Sequence, residues 1–199
     1  MNIIRKKYDK NYFQNIFYKE NPKSQRKRNQ IKELLKYKNN GNLLEVGCGV
    51  GNFLKEAEKY FRITGVDISE YAVNEAKKSF RGKISVGNIE EINLESNHYD
   101  VIVVFDLLEH LKNPRNTIEK LYKSLKKEGI LIGSVPNNFG FVGVLATLFF
   151  NAMDKTHRST FSPHIWHEYF IDIGFENVLF FGEIQIINNH FYVKNKFWR

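Results

Sequence analysis

The chain has 199 residues, 42% apolar and 26% charged, and its 30 Lys and Arg outnumber 22 Asp and Glu to give a formal net charge of +8. This composition excludes a disordered tail and predicts one globular domain, while the lone cysteine, Cys48, excludes an intramolecular disulfide framework and a CxxC zinc module. Charge breaks up the amino-terminal MNIIRKKYDKNY too early for a signal-peptide core, and the most apolar window, Phe139 to Met153, is shorter than the roughly 20 residues of a bilayer-spanning helix, so a cytoplasmic protein is expected.

The basic excess sits at the start. Residues 1–40 hold twelve Lys and Arg and three Asp and Glu, a net of +9, and the remaining 159 residues carry a net of −1. Such an arm can draw nucleic acid, anionic lipid or a phosphorylated substrate through its field. It can equally be the solvated face of a helix over Ser24 to Tyr37, whose Ile31, Leu34 and Leu35 recur at helical spacing.

Beyond the arm, strands and helices alternate. Asn42 to Val46 (NLLEV) reads as a strand, followed by a glycine turn and a helix over Asn52 to Tyr60. Arg62 to Val66 is the next strand, Ser69 to Phe80 a helix capped by Ser69, and Lys83 to Val86 a third strand. Tyr99 to Phe105 (YDVIVVF) is the strongest strand signal, and Asn116 to Lys126 carries Ile118, Leu121, Tyr122 and Leu125 at helical spacing. Gly129 to Val135 is a fifth strand, closed by Pro136. Five strands alternating with helices imply a parallel α/β sheet covered on both faces, with right-handed crossovers. Ser162 to Ile173 then reads as a helix ending at Gly174, and Phe175 to Phe181 with Ile184 to Val193 as a terminal antiparallel pair. The expected organisation is a single domain over 1–199: a basic arm and helix at 1–40, a ligand-binding core at 41–135, and a lid, final helix and antiparallel strands at 136–199.

In an open parallel sheet, ligands bind beyond the carboxyl ends of the strands, where the first turn offers glycine backbone and a helix amino terminus. Here that turn is Glu45-Val46-Gly47-Cys48-Gly49-Val50-Gly51-Asn52. Asp67 lies 20 positions after Gly47, where a carboxylate can accept both ribose hydroxyls, as in an NAD enzyme. A dinucleotide fingerprint needs a small residue five positions after its first glycine, and Asn52 stands there instead. Glu45, just before the turn, favours a cationic ligand group and disfavours a pyrophosphate. The turn therefore suits a nucleoside that carries positive charge.

LLEVGCGVGNFL followed by ITGVDIS resembles the first two motifs of the class I S-adenosylmethionine-dependent methyltransferases. Gly87-Asn88-Ile89-Glu90, VIVVFDLLEHL and GILIGSVPN are similar to the motifs after the third, fourth and fifth strands, and THRSTFSPHIWHEYF with IGF is similar to the end of the small-molecule branch that includes quinone-type O-methyltransferases. The resemblance covers residue 41 to about 180 and implies a Rossmann-like, doubly wound, mostly parallel sheet with a terminal antiparallel hairpin. It also implies S-adenosylmethionine as cofactor. Glu45, Gly47, Cys48 and Gly49 would surround the methionyl part, Asp67 would hold the ribose, Ile68 would pack on adenine, and Asn88 and Ile89 would meet the adenine edge. The family usually has Asp where Asn88 stands; an amide still accepts and donates there. Asp106, at the end of strand four, would face the methionyl group.

Methyl transfer is in line with sulfur and disperses the sulfonium charge, so the leaving group needs no acid and much of the work is positioning. A base matters for a hydroxyl acceptor, and His is the usual choice near neutral pH. His110 follows the fourth strand and His157 lies in the loop that the resemblance places over the acceptor, so these two are the candidate bases. His164, His167 and Glu168 lack an obvious companion ligand, and no metal is expected. Residues 139–153 (FGFVGVLATLFFNAM) read as a lid over an apolar acceptor, as a patch that touches a membrane together with the basic arm, or as an extra helix packed on the core.

The resulting expectation is a methyltransferase acting on a small-molecule acceptor, a hydroxyl of a sugar, lipid or aromatic metabolite, with peripheral contact to an anionic membrane as a partner surface. The alternatives are an RNA or protein methyltransferase using the arm, or a non-catalytic binding module. FDLLEH stands where amino-directed enzymes resemble N/D-P-P-Y, so nucleic acid is not an expected partner, and the intact glycine turn argues for a working cofactor site.

Overall fold

The computed structural model describes residues 8–14, 25–136, 158–159, 161–182 and 188–195. In chain order these form α1 (Lys10–Gln14), α2 (Gln25–Leu35), β1 (Asn42–Val46), α3 (Asn52–Ala57), β2 (Arg62–Asp67), α4 (Glu70–Ala76), β3 (Lys83–Val86), β4 (Tyr99–Phe105), a 3-10 turn (Leu108–His110), α5 (Pro114–Ser124), β5 (Leu125–Pro136), α6 (Pro163–Ile173), β6 (Phe175–Gly182) and β7 (Asn188–Asn195). They group into two compact units, one running up to Asn93 and including Tyr99–Val101, the other made of Leu94–His98 and everything from Ile102 onward.

In the first unit the strands are ordered β3-β2-β1-β4. β1 and β2 run parallel from Asn42↔Arg62 to Val46↔Val66, and β2 and β3 run parallel from Thr64↔Lys83 to Asp67↔Val86. Leu43, Leu44 and Val46 are buried, as are Ile63 and Val66, which is why these strands read as continuous apolar runs and not as alternating ones. α3 turns Phe53, Leu54 and Ala57 inward, and α4 turns in Ala72, Val73 and Ala76. Asp100, near the start of β4, accepts the Asn42 N–H at 2.8 Å and so anchors the first residue of β1. Because β1, β2 and β3 are parallel and in register, the turns after them lie at one edge of the sheet.

The second unit continues β4 through fully buried Ile102, Val103 and Val104, and its order is β4-β5-β7-β6. β7 is antiparallel to both neighbours, pairing Ile130↔Lys194 to Pro136↔Asn188 with β5 and Phe175↔Asn195 to Gly182↔Asn189 with β6. α6 begins where the Ser162 hydroxyl accepts the Ile165 N–H at 3.2 Å, with Pro163 in the first turn, and stops at Gly174 with φ 111°. These are standard start and stop devices. α6 buries Trp166 and Phe170, and Phe170 meets Phe175 edge-on, which in turn meets Tyr122 of α5.

Element types follow the expected order, and some boundaries move. β5 begins at Leu125, four residues before the expected Gly129, because α5 ends at Ser124 and Leu125 is already extended. The last strand is Asn188–Asn195, two residues longer at its end than the expected Ile184 to Val193, whose first four residues lie outside the described residues. The antiparallel pair enters the sheet through its second strand, β7, which lies between β5 and β6.

α3 starts from Gly51, whose φ of 81° lies in the left-handed region, a strained position for any other residue. A Cβ there would overlap Phe80 Cε1 and stand 3.2 Å from Ala76 Cβ. Gly51→Ala should therefore cost about 1–3 kcal/mol of stability, read as a lower denaturation midpoint. An unchanged midpoint would contradict this account of the turn.

Candidate functional site

The turn after β1 is built from left-handed glycines, with φ 74° at Gly47 and 52° at Gly49. Gly47 and Cys48 both donate their N–H to the Val66 carbonyl, at 2.8 and 3.2 Å, so the turn folds back onto the end of β2. Asp67 completes the tie. Its Oδ2 accepts the Gly49 N–H at 2.7 Å and its Oδ1 the Ser69 N–H at 2.8 Å. The carboxyl is 8% exposed, and this burial lifts its pKa against the opposing pull of the amides of Ser69, Gly49 and Ile68. A carboxylate has about four lone-pair positions, so hydroxyl groups can still bond to it.

The other predicted residues of this edge divide by the way they face. Glu45 is buried at 3% exposure on β1. Cys48 is buried too, and a Cβ at Gly65 would stand 3.0 Å from its Sγ, so the thiol points at the sheet and its main chain belongs to the turn. Ile68 and Asn88 are half-buried, while the Ile89 side chain is buried at 4% exposure. Asn88 Nδ2 donates to Glu91 Oε1 at 2.9 Å and its Oδ1 accepts the Glu90 N–H at 3.1 Å, which fixes the loop after β3. Glu45, Gly47, Cys48, Gly49, Asp67, Ile68, Asn88 and Ile89 thus fall in one unit, on or just after the carboxyl ends of three adjacent parallel strands.

Sequence reasoning missed a second layer on this edge. The Ser69 hydroxyl caps α4 by accepting the Ala72 N–H at 3.2 Å and donates to the Tyr8 carbonyl at 2.5 Å. Phe13 reaches Gly49, where a Cβ would lie 3.4 Å from its ring, and faces Tyr71 with centroids 6.1 Å apart. Only the Ser69 cap had a sequence signal. Tyr8 and Phe13 lie in a stretch read for its charge.

In the second unit Asp106 directly follows β4, with φ 50°. Its N–H donates to the Ser134 carbonyl at 3.0 Å and its Oδ1 accepts the Ser134 hydroxyl at 2.7 Å. His110 closes the 3-10 turn, half-buried, with Nε2 4.0 Å from Glu109 Oε1, beyond hydrogen-bond reach. The Glu109 carbonyl accepts the N–H groups of Arg158 and Ser159, at 2.8 and 2.9 Å, and the Ser159 hydroxyl donates to Leu111 at 2.9 Å. His157 lies outside the described residues, as do Lys23 and residues 139–153. His164 Nε2 stands 3.3 Å from Glu168 Oε1, both exposed. On α2, Ile31 and Leu34 are buried as expected, but Lys27 is only 9% exposed and shares that inner face, so it is not part of a solvated basic surface. Among the described residues no helix is long and apolar enough to cross a membrane.

Burial pushes the Cys48 thiol pKa well up, with help from the charges of Asp67 and Glu45, and each unit upward removes nine-tenths of the reactive thiolate. A thiol reagent should therefore label the native protein at neutral pH more than about tenfold slower than the unfolded chain. Equal rates would contradict this placement.

The comparisons agree with this geometry. A methyltransferase-domain family model matches residues 18–179. The malonyl-(acyl-carrier protein) O-methyltransferase of Priestia megaterium is 36% identical over 105 residues, covering 50% of this chain and 38% of its own length. The ubiquinone biosynthesis O-methyltransferase of Coxiella burnetii is 32% identical over 126 residues, covering 58% and 54%. The chain thus spans about half or less of these two relatives. The crystal structure of magnesium protoporphyrin IX methyltransferase from Synechocystis, with bound SAH, shares the fold at a TM-score of 0.75 and 15% identity, over 98% of this chain and 99% of that one. With the family match over most of its length, the chain belongs to the methyltransferase-domain family, in the S-adenosylmethionine-dependent class that its motifs resemble.

Proposed function

We propose that the protein binds S-adenosylmethionine at the edge formed by the turns after β1, β2 and β3, and transfers its methyl group to a small-molecule acceptor, on a hydroxyl. The observation that carries this reading is the Gly47–Gly51 turn locked to Asp67: main chain is open to a ligand at left-handed glycines, and Asp67 beside it retains acceptor capacity. The charge balance fits as well. Glu45 and Asp67 are both acidic and buried, which favours a cationic cofactor over a pyrophosphate. The two O-methyltransferase relatives support oxygen as the acceptor atom.

When bound, the cofactor supplies an electrophilic methyl on a sulfonium, and the rest falls to the chain. Asp67 accepts the ribose hydroxyls while keeping its bonds to Gly49 and Ser69. Gly47 and Gly49 let the methionyl part approach main chain, Ile68 packs on the adenine face, and Asn88 with the Ile89 main chain meets the adenine edge. Ser134 fixes the carboxyl of Asp106 from β5, and by the motif that it matches Asp106 would face the methionyl group. His110 and His157 are the two candidates that would take the acceptor proton.

Asp67→Ala and Gly47→Val should each weaken S-adenosylmethionine binding by calorimetry. The first loses charge-assisted hydrogen bonds worth about 1.5–3 kcal/mol, roughly 10- to 150-fold, and the second excludes the ligand sterically. Unchanged affinity in both variants would overturn the site.

If His110 or His157 is the base, its replacement by Gln should lower turnover about 100-fold or more with cofactor affinity intact. A drop below about tenfold in both variants would show that positioning alone drives transfer to an acceptor that is already nucleophilic.

A further inference from the structure

We propose that Ser159 is a positioning residue for His110, whose turn it clamps on both sides of the histidine; this rests on the reading of His110 as a base for the acceptor. The turn is short. It has three residues, Leu108–His110, and is closed by the His110 N–H on the Leu107 carbonyl at 2.9 Å and the Leu111 N–H on the Leu108 carbonyl at 3.3 Å. A 3-10 piece of this length has poor internal hydrogen-bond geometry, and its last carbonyls find no partner inside it. Glu109 and Leu111, the residues on either side of His110, contribute two of those carbonyls.

Both carbonyls are taken up by one distant place in the chain. The Glu109 carbonyl accepts the N–H groups of Arg158 and Ser159 at 2.8 and 2.9 Å, and the Leu111 carbonyl accepts the Ser159 hydroxyl at 2.9 Å across 48 positions. Two donors fill the lone pairs of the first carbonyl. Ser159 and Leu111 are each buried at 5% exposure, so water competes little for the bond between them. The main chain is therefore held immediately before and immediately after His110, and with it the direction in which the half-buried imidazole leaves the backbone. That direction matters for the reaction. A base must come within about 3 Å of the proton it takes, and a misplacement of about 1 Å can cost roughly 100-fold in rate. The hydroxyl is also the one part of the clamp that a substitution removes cleanly: Ser159→Ala keeps both amide donors and loses the bond to Leu111.

The test compares Ser159→Ala with Ser159→Thr, which keeps the hydroxyl, and a thermal melt checks that both are folded. One readout is the His110 ring-proton resonance in NMR, identified by its loss in His110→Gln. The other is methyl transfer from labelled S-adenosylmethionine into a metabolite extract of the native cell. In Ser159→Ala the His110 resonance should move or split while those of His98 and His164 stay in place, and transfer should fall at least about tenfold with S-adenosylhomocysteine affinity unchanged by calorimetry. Ser159→Thr should restore both readouts. A His110 resonance unmoved in Ser159→Ala, or one that moves without any loss of transfer, overturns the positioning role and leaves His110 standing as the base. Equal loss in Ser159→Thr assigns the effect to packing and overturns the role of the hydroxyl. Transfer unchanged in His110→Gln overturns the reading of His110 as base, and the proposal with it. With an extract that yields no transfer, the resonance alone decides.

Discussion

Everything at the candidate site depends on one carboxyl group held between two turns. Asp67 accepts the Gly49 N–H with one oxygen and the Ser69 N–H with the other, so the loops after β1 and β2 cannot move independently. The arrangement has an energetic cost, since burial disfavours the charged carboxylate, and the amide donors offset it. A site stiffened in this way meets its ligand with little reorganisation. The same bonds explain why the glycines are needed: Gly49 can point its N–H at Asp67 only with a positive φ of 52°.

The second unit uses the same device with different atoms. Asp106, also at a strand end and also with positive φ, is held by the Ser134 main chain and hydroxyl. A non-glycine residue kept in this conformation stores strain that surrounding bonds must maintain. Beyond it, the Glu109 carbonyl gathers the amides of Arg158 and Ser159, which ties the segment leading into α6 to the turn bearing His110. Acidic side chains and carbonyls at strand ends thus order the loops, and the sheet beneath them is ordinary apolar packing.

Much of this was legible in the residues. β1 and β4 have the expected boundaries because strands buried on both faces leave largely apolar runs, and the start of α4 and both ends of α6 follow from Ser69, Ser162 and Gly174. The glycine spacing and Asp67 pointed to one edge, and the structure ties Gly49 to Asp67 there. The packing of residues 8–13 on this edge was not legible, because they were read for their charge, and Phe13 meets Gly49 and Tyr71, and the Tyr8 carbonyl meets Ser69, across more than thirty positions. The place of β7 between β5 and β6 is likewise a non-local pairing that strand propensity does not encode. Lys27 falls in the run read as a basic surface for a related reason: a basic run looks solvated, although this residue lies on the same helical face as Ile31 and Leu34.

The central claim is that the glycine edge selects a nucleoside with a cationic amino-acid arm and rejects a dinucleotide. Its most direct test is a pair of calorimetric titrations of the wild-type protein, one with S-adenosylmethionine and one with NAD. The account predicts saturable one-to-one binding of S-adenosylmethionine and none of NAD at the same concentrations. Tighter binding of NAD, or no binding of S-adenosylmethionine, would contradict it.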